Sequence, residues 1–109
     1  LASLTGSYDI GIGTFELAFT PTPLGAEEKL AVYAALVNSP GINYIENYRR
    51  LISIEAAATP SPVDLTTEIE ARLGSMSVGQ TLVYEAYVLD RSTGLISSRI
   101  RTQGVIVST

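Results

Sequence analysis

The sequence predicts an all-β chain, folded as a single antiparallel β-sandwich of about seven strands. Three observations predict it. Apolar residues recur mostly at every second position, the period of a half-buried strand. The prolines all fall in short polar stretches, at Pro21 and Pro23, Pro40, and Pro60 and Pro62. Proline donates nothing to a ladder, so these stretches read as connections. Polar, glycine-bearing turns separate the apolar stretches. At 109 residues the chain is one domain, 1–109, large enough to build a core without staples.

The elements follow in order. Tyr8, Ile10 and Ile12 alternate, and Phe15, Leu17 and Phe19 alternate in the other phase. The slip at Gly11-Ile12-Gly13 is read as a bulge or a crossing between sheets. Lys29 to Val37 sets Leu30, Val32, Ala34 and Leu36 on one face. Its Ala, Leu and Lys residues also form helices well, so 29–37 keeps a helical alternative. Tyr48 to Ala56 alternates through Arg50, Ile52 and Ile54. Ile45, Tyr48, Ile52 and Ala56 share helical spacing, so 43–56 keeps both readings too.

The second half reads more simply. Leu65, Thr67, Ile69, Ala71 and Leu73 alternate with Thr66, Glu68, Glu70 and Arg72. That predicts a half-buried strand with a wet outer face. Gly74 to Gln80 is a polar turn, and Leu82, Tyr84, Ala86 and Val88 form the inward face of the next strand. Asp90-Arg91-Ser92-Thr93-Gly94 predicts a hairpin loop with glycine at a positive φ. Leu95 to Ser108 is the last strand, interrupted at Gly104.

The run from Met76 to Asp90, Met-Ser-Val-Gly-Gln-Thr-Leu-Val-Tyr-Glu-Ala-Tyr-Val-Leu-Asp, is followed by Ser92-Thr93-Gly94 and Ser97-Ser98. It resembles the end of a fibronectin type III domain. There, an apolar residue and a glycine-containing turn precede a tyrosine-bearing strand, and a serine-rich last strand follows. The resemblance covers the last third of the chain. It implies an immunoglobulin-like sandwich and a non-catalytic role, with Phe19 or Phe15 standing where the family has a tryptophan.

Composition excludes several kinds of chemistry. The chain has no histidine and no cysteine. It therefore lacks the usual general base, the thiolates and the commonest ligands of transition metals. Serines have only Lys29 as a lysine to activate them. No enzyme activity and no cofactor are expected. A formal charge of −4 argues against nucleic acid as a partner. The longest apolar run, Leu30 to Val37, has eight residues against the ~20 needed to span a bilayer, so no membrane insertion is expected. The opening residues lack the basic start of a signal peptide.

Small constellations have ordinary readings. Glu68 and Glu70 would sit about 7 Å apart on one face of a strand, a solvated pair rather than a hydrolytic one. Asp90 with Ser92 and Thr93 offers oxygens to a hard cation, but a hairpin explains them. Gly11-Ile12-Gly13 lacks the lysine and third glycine of a phosphate loop. Arg49, Arg50, Arg99 and Arg101 suggest a small basic patch, expected to pair with Glu46, Glu55 or Glu85.

A face carries the functional expectation. With Leu30 and Leu82 inward, Tyr33, Val37, Val83, Tyr87 and Leu89 point outward, and a fibronectin-like topology makes their strands neighbours. Charged residues are 17% of the chain, below the roughly 25% of ordinary domains, so apolar area is left over for contacts. The first expectation is a non-catalytic module acting by protein–protein contact or self-association in a larger assembly. A virion accessory or decoration subunit, or an extracellular surface or filament module, fits it. The alternative is a carbohydrate-binding module using Asn43, Tyr44, Glu46 and Tyr48.

Overall fold

The computed structural model describes residues 1–20, 23–37, 48–58 and 61–109. The strands are β1 Ser3–Asp9, β2 Thr14–Thr20, β3 Glu28–Val37, β4 Arg49–Glu55, β5 Val63–Asp64, β6 Thr81–Asp90 and β7 Ile100–Val105. Among the described residues, helix α1 Thr66–Leu73 lies between β5 and β6, and a short 3-10 turn, Ala56–Ala58, follows β4. The strands form two antiparallel sheets, ordered β1-β2-β5 and β4-β3-β6-β7. The fold is an antiparallel β-sandwich, as the alternation predicts. Of the two ambiguous stretches, 29–37 is strand throughout and the described part of 43–56 is strand over Arg49–Glu55, with Ala56 opening the 3-10 turn. Strands β3 and β6 are neighbours over their full lengths.

The two sheets meet on the predicted inward faces. Phe15, Leu17 and Phe19 of β2 are buried against Leu30, Val32 and Ala34 of β3 and Leu82, Tyr84 and Ala86 of β6 in one core. Each large side chain fully buried there contributes roughly 1.5–3 kcal/mol. Tyr84 stacks on Tyr8, ring centroids 5.6 Å apart. The edge of the Tyr8 ring occupies the place a Cβ would take at Gly104, with Cε2 only 2.5 Å from that point. The last strand is only Ile100–Val105 rather than Leu95 to Ser108, and Gly104 does not interrupt it but pairs with Leu82. Its missing side chain lets β7 pass close under an aromatic ring from the other sheet.

Two further expectations are corrected. Gly11-Ile12-Gly13 is neither a bulge nor a crossing but the turn that joins β1 to β2, with Gly13 at φ 76°. The Leu65–Leu73 stretch is not a strand; the fifth strand is only Val63–Asp64, and helix α1 follows it. Leu65 and Ile69 are buried and Leu73 is half-buried, whereas Thr67 and Ala71 are exposed. Apolar residues four apart fit a helix as well as a strand. The small residues between them decide, and Glu, Ala, Arg and Leu favour helix. Asp64 Oδ1 accepts from the Thr66 N–H and hydroxyl and so holds the first turn. Glu68 near the start and Arg72 near the end suit the helix dipole. Glu68 and Glu70 consequently point to different sides rather than forming a pair.

Helix α1 packs against β2, β3 and β4 and closes one side of the sandwich. The other side is closed by a parallel bridge between Asp9 and Val107. There the Ile10 N–H donates to the Val107 carbonyl and the Val107 N–H to the Tyr8 carbonyl, at 2.8 and 3.0 Å.

Candidate recognition face

The pairing registers set out the outer face of the four-stranded sheet row by row. Arg50, Tyr33, Glu85 and Arg101 form one row across β4, β3, β6 and β7. Ser53, Ala31 and Tyr87 form the next. Tyr33 and Tyr87 are therefore diagonal neighbours, with small Ala31 leaving room between them. Their rings stack at 6.1 Å between centroids, 19° from parallel. The Arg99 guanidinium lies 5.3 Å from the Tyr87 ring centroid, within the ~6 Å reach of a cation–π contact.

The chain after the Asp90 turn puts Arg99 there. The Ser97 N–H donates to the Val88 carbonyl, and the Ser97 hydroxyl accepts from the Val88 N–H. One serine thus supplies both partners to β6 and aims the following residues across Tyr87. Asp90 Oδ1 takes the N–H and hydroxyl of Ser92, which fixes that turn. Its oxygens hold the predicted hairpin. Among the described residues no three His, Cys, Asp or Glu side chains are grouped for a metal ion.

A cleft of about 300 Å³ lies on this face, lined by Tyr33, Tyr48, Glu85, Tyr87 and Arg99. Arg101 approaches the Tyr48 ring at 6.0 Å and Glu85 at 4.0 Å. The nearby Tyr33 hydroxyl and partial desolvation push the Tyr87 hydroxyl above its ordinary pKa, while Arg99 and Arg50 pull it the other way. A larger hollow, about 450 Å³, is lined by Ile10, Glu70, Gly74, Ser75 and Met76. Its described lining has no aromatic ring and no cation, so it offers less to recognise a partner with.

The structure brings together some of the sequence candidates and separates others. Tyr33 and Tyr87 are half-buried side by side, and Leu89 stands half-buried further along β6. Val37 and Val83 have the outward parity but are 2% and 0% exposed. They are covered within the chain and present no area to another molecule, because strand parity fixes a face and not what lies over it. Tyr48, from the alternative set, joins the tyrosines of the first set in one cleft. Asn43, Tyr44 and Glu46 lie outside the described residues.

Of the expected arginine pairs, Arg101 with Glu85 forms, at 4.0 Å. Arg99 goes to the Tyr87 ring, and Glu55 takes Arg91 at 2.9 Å. Glu85 lines the cleft as well. Glu85 is visible in the sequence as a charge beside Tyr84 and Tyr87, whereas the place of Arg99 over Tyr87 is not. Among the described residues no helix is long and apolar enough to cross a membrane. The chain matches no family model, no curated protein and no solved structure.

Proposed function

We propose that this chain is a non-catalytic module that works by protein–protein contact within a larger assembly, through the outer face of its four-stranded sheet. The Tyr33–Tyr87 stack capped by Arg99 carries the reading. These rings are spent on the surface and not in the core. Tyrosine and arginine, held rigid and partly desolvated, are the residues on which contact energy concentrates. The neighbouring β3 and β6 support the likeness to a fibronectin type III domain. A decoration subunit of a virus particle and a surface or filament module both fit this reading.

A second reading has its own support. Three tyrosines and a carboxylate around one cleft make a carbohydrate-binding platform, with Tyr48 and Glu85 at its wall. Light scattering across a concentration series, beside a glycan array, tests the pair. Association that Tyr87→Glu weakens, with the fold intact, supports protein contact. A clean monomer that binds a glycan, and loses it on Tyr48→Ala, overturns it.

A further inference from the structure

The two broad faces of the sandwich carry opposite charge. On the four-stranded sheet, Arg50, Arg99 and Arg101 are exposed around the tyrosine pair. The acids on that face are already engaged: Glu55 by Arg91 and Glu85 by Arg101. Arg50 and Arg99 make no ion pair among the described residues. The other sheet has no lysine or arginine in any of its strands. Its outer face runs Ser7, Glu16, Asp64 in one row, because Glu16 pairs with both of the others.

Glu16 and Asp64 face each other directly across two strands. Like charges in that position oppose pairing. Among the described residues no basic side chain relieves them. A shallow hollow of about 210 Å³ opens beside Glu16, walled by Thr5, Ser7, Ala18 and Pro62.

We propose that copies of this chain associate head to tail, the Tyr33–Tyr87–Arg99 face of one copy receiving the Glu16–Asp64 face of the next. The inference rests on the proposed use of the tyrosine face and adds the occupant. Guanidinium groups meet carboxylates in paired hydrogen bonds that fix orientation. The hydroxyl-rich rim of Thr5 and Ser7 gives the tyrosine hydroxyls partners. The symmetric alternative, tyrosine face against tyrosine face, sets the arginines of both copies against one another, and like-charge contact across an interface costs affinity. A head-to-tail contact uses a different surface on each side, so it propagates into an open chain unless its rotation closes a ring.

The test uses the full chain in sedimentation and light scattering at about 0.02 M and about 0.5 M salt. The wild type is expected to grow past a dimer with concentration and to shrink at high salt. Arg50→Glu with Arg99→Glu blocks one face, and Glu16→Lys with Asp64→Lys blocks the other. Each alone is expected to weaken association by more than about tenfold, while an equal mixture of the two recovers it. Circular dichroism checks that each variant folds. Glu16→Lys alone leaves the Asp64–Thr66 bonds intact and serves if the double change unsettles the helix. A wild type that stays monomeric at low salt overturns head-to-tail association. If Tyr87→Glu breaks association but both lysine variants leave it unchanged, the copies meet by another surface. The head-to-tail contact is then overturned while the proposed function of the tyrosine face stands.

Discussion

Asp9 and Thr109 are separated by a hundred residues and joined by two hydrogen bonds: the Thr109 hydroxyl donates to Asp9 Oδ2 at 2.6 Å and its N–H to Oδ1 at 3.2 Å. The same Oδ1 accepts the N–H groups of Gly11 and Ile12. One carboxylate thus organises the β1–β2 turn and fastens the end of the chain to it. Asp9 is 7% exposed and is the buried charged residue among those described. Among the described residues no cation pairs with it, and hydrogen bonds stabilise its charge instead.

Acid stability follows from this arrangement. The Thr109 hydroxyl bond, joined by the N–H groups of Thr109, Ile12 and Gly11, holds the Asp9 pKa below its ordinary value against the opposing effect of desolvation. A carboxylate whose folded pKa is lowered stabilises the fold above its unfolded pKa, about 3.9. That stability is lost as pH falls through the folded value. Asp64 and Asp90 are lowered by their bonds to Thr66 and Ser92. Asp9→Asn should therefore lower the melting temperature at neutral pH and remove part of the decline below about pH 4, not all of it. Melts from about pH 2 to 7 check this.

Alkaline stability runs the other way. Burial pushes the Tyr84 hydroxyl far above its ordinary pKa, with the neighbouring Tyr8 and Asp64 adding to the shift. A raised pKa gives stability that is present below about pH 10 and lost as pH climbs toward the folded value. Among the described residues the Tyr84 hydroxyl also has no hydrogen-bond partner. Tyr84→Phe should raise stability by about 1 kcal/mol at neutral pH and delay alkaline unfolding. Denaturant titrations on both sides of pH 10 read both effects.

Gly104→Ala should cost roughly 1–3 kcal/mol, because the new Cβ meets the Tyr8 ring. The cost should shrink when Tyr8 is first replaced by Ala, since the two substitutions concern one contact. A double-mutant cycle in urea measures the coupling. Additive losses would mean that the backbone of β7, not the ring, objects to the methyl group.

Helix α1 makes a sign prediction. Ile69 is fully buried, so Ile69→Ala should cost roughly 2–5 kcal/mol. Ala71 is exposed, and Ala71→Val should lower stability by about 0.5 kcal/mol in a helix. An exposed strand position would gain from the same change. Thermal melts of the two variants separate helix from strand without a structure.

What was legible in the sequence follows from the same physics. Phe15, Leu17 and Phe19 alternate with Glu16 and Ala18, and Leu82, Tyr84, Ala86 and Val88 alternate with Glu85 and Tyr87. Only period two accommodates those contrasts, so β2 and β6 and their faces could be read directly. Leu65, Ile69 and Leu73 satisfy both periods, and Thr67 and Ala71 are too small to break the tie. The Asp64 side chain favours the helix by bonding the N–H and hydroxyl of Thr66 at its start, an interaction that alternation does not encode. At the site, Tyr33 and Tyr87 were legible from parity. Arg99 was not, since its place over Tyr87 depends on Ser97 bonding back to Val88. The role of Asp9 was missed as well. Its signal is a short acid set just before Gly-Ile-Gly, where consecutive N–H groups converge.

The parallel bridge at Val107 has a mechanical consequence. The segment after β7 runs in the same direction as β1, so tension applied at residues 1 and 109 draws the two strands past each other lengthwise. The Ile10–Val107 and Val107–Tyr8 bonds, with the grip of Asp9 on Thr109, then carry the load together rather than parting one by one like a zipper. Resistance to pulling is a matter of unfolding rate rather than of equilibrium stability. The Asp9 corner is therefore the element that bears the strain of a stretched chain, apart from the buried core between β2 and β6.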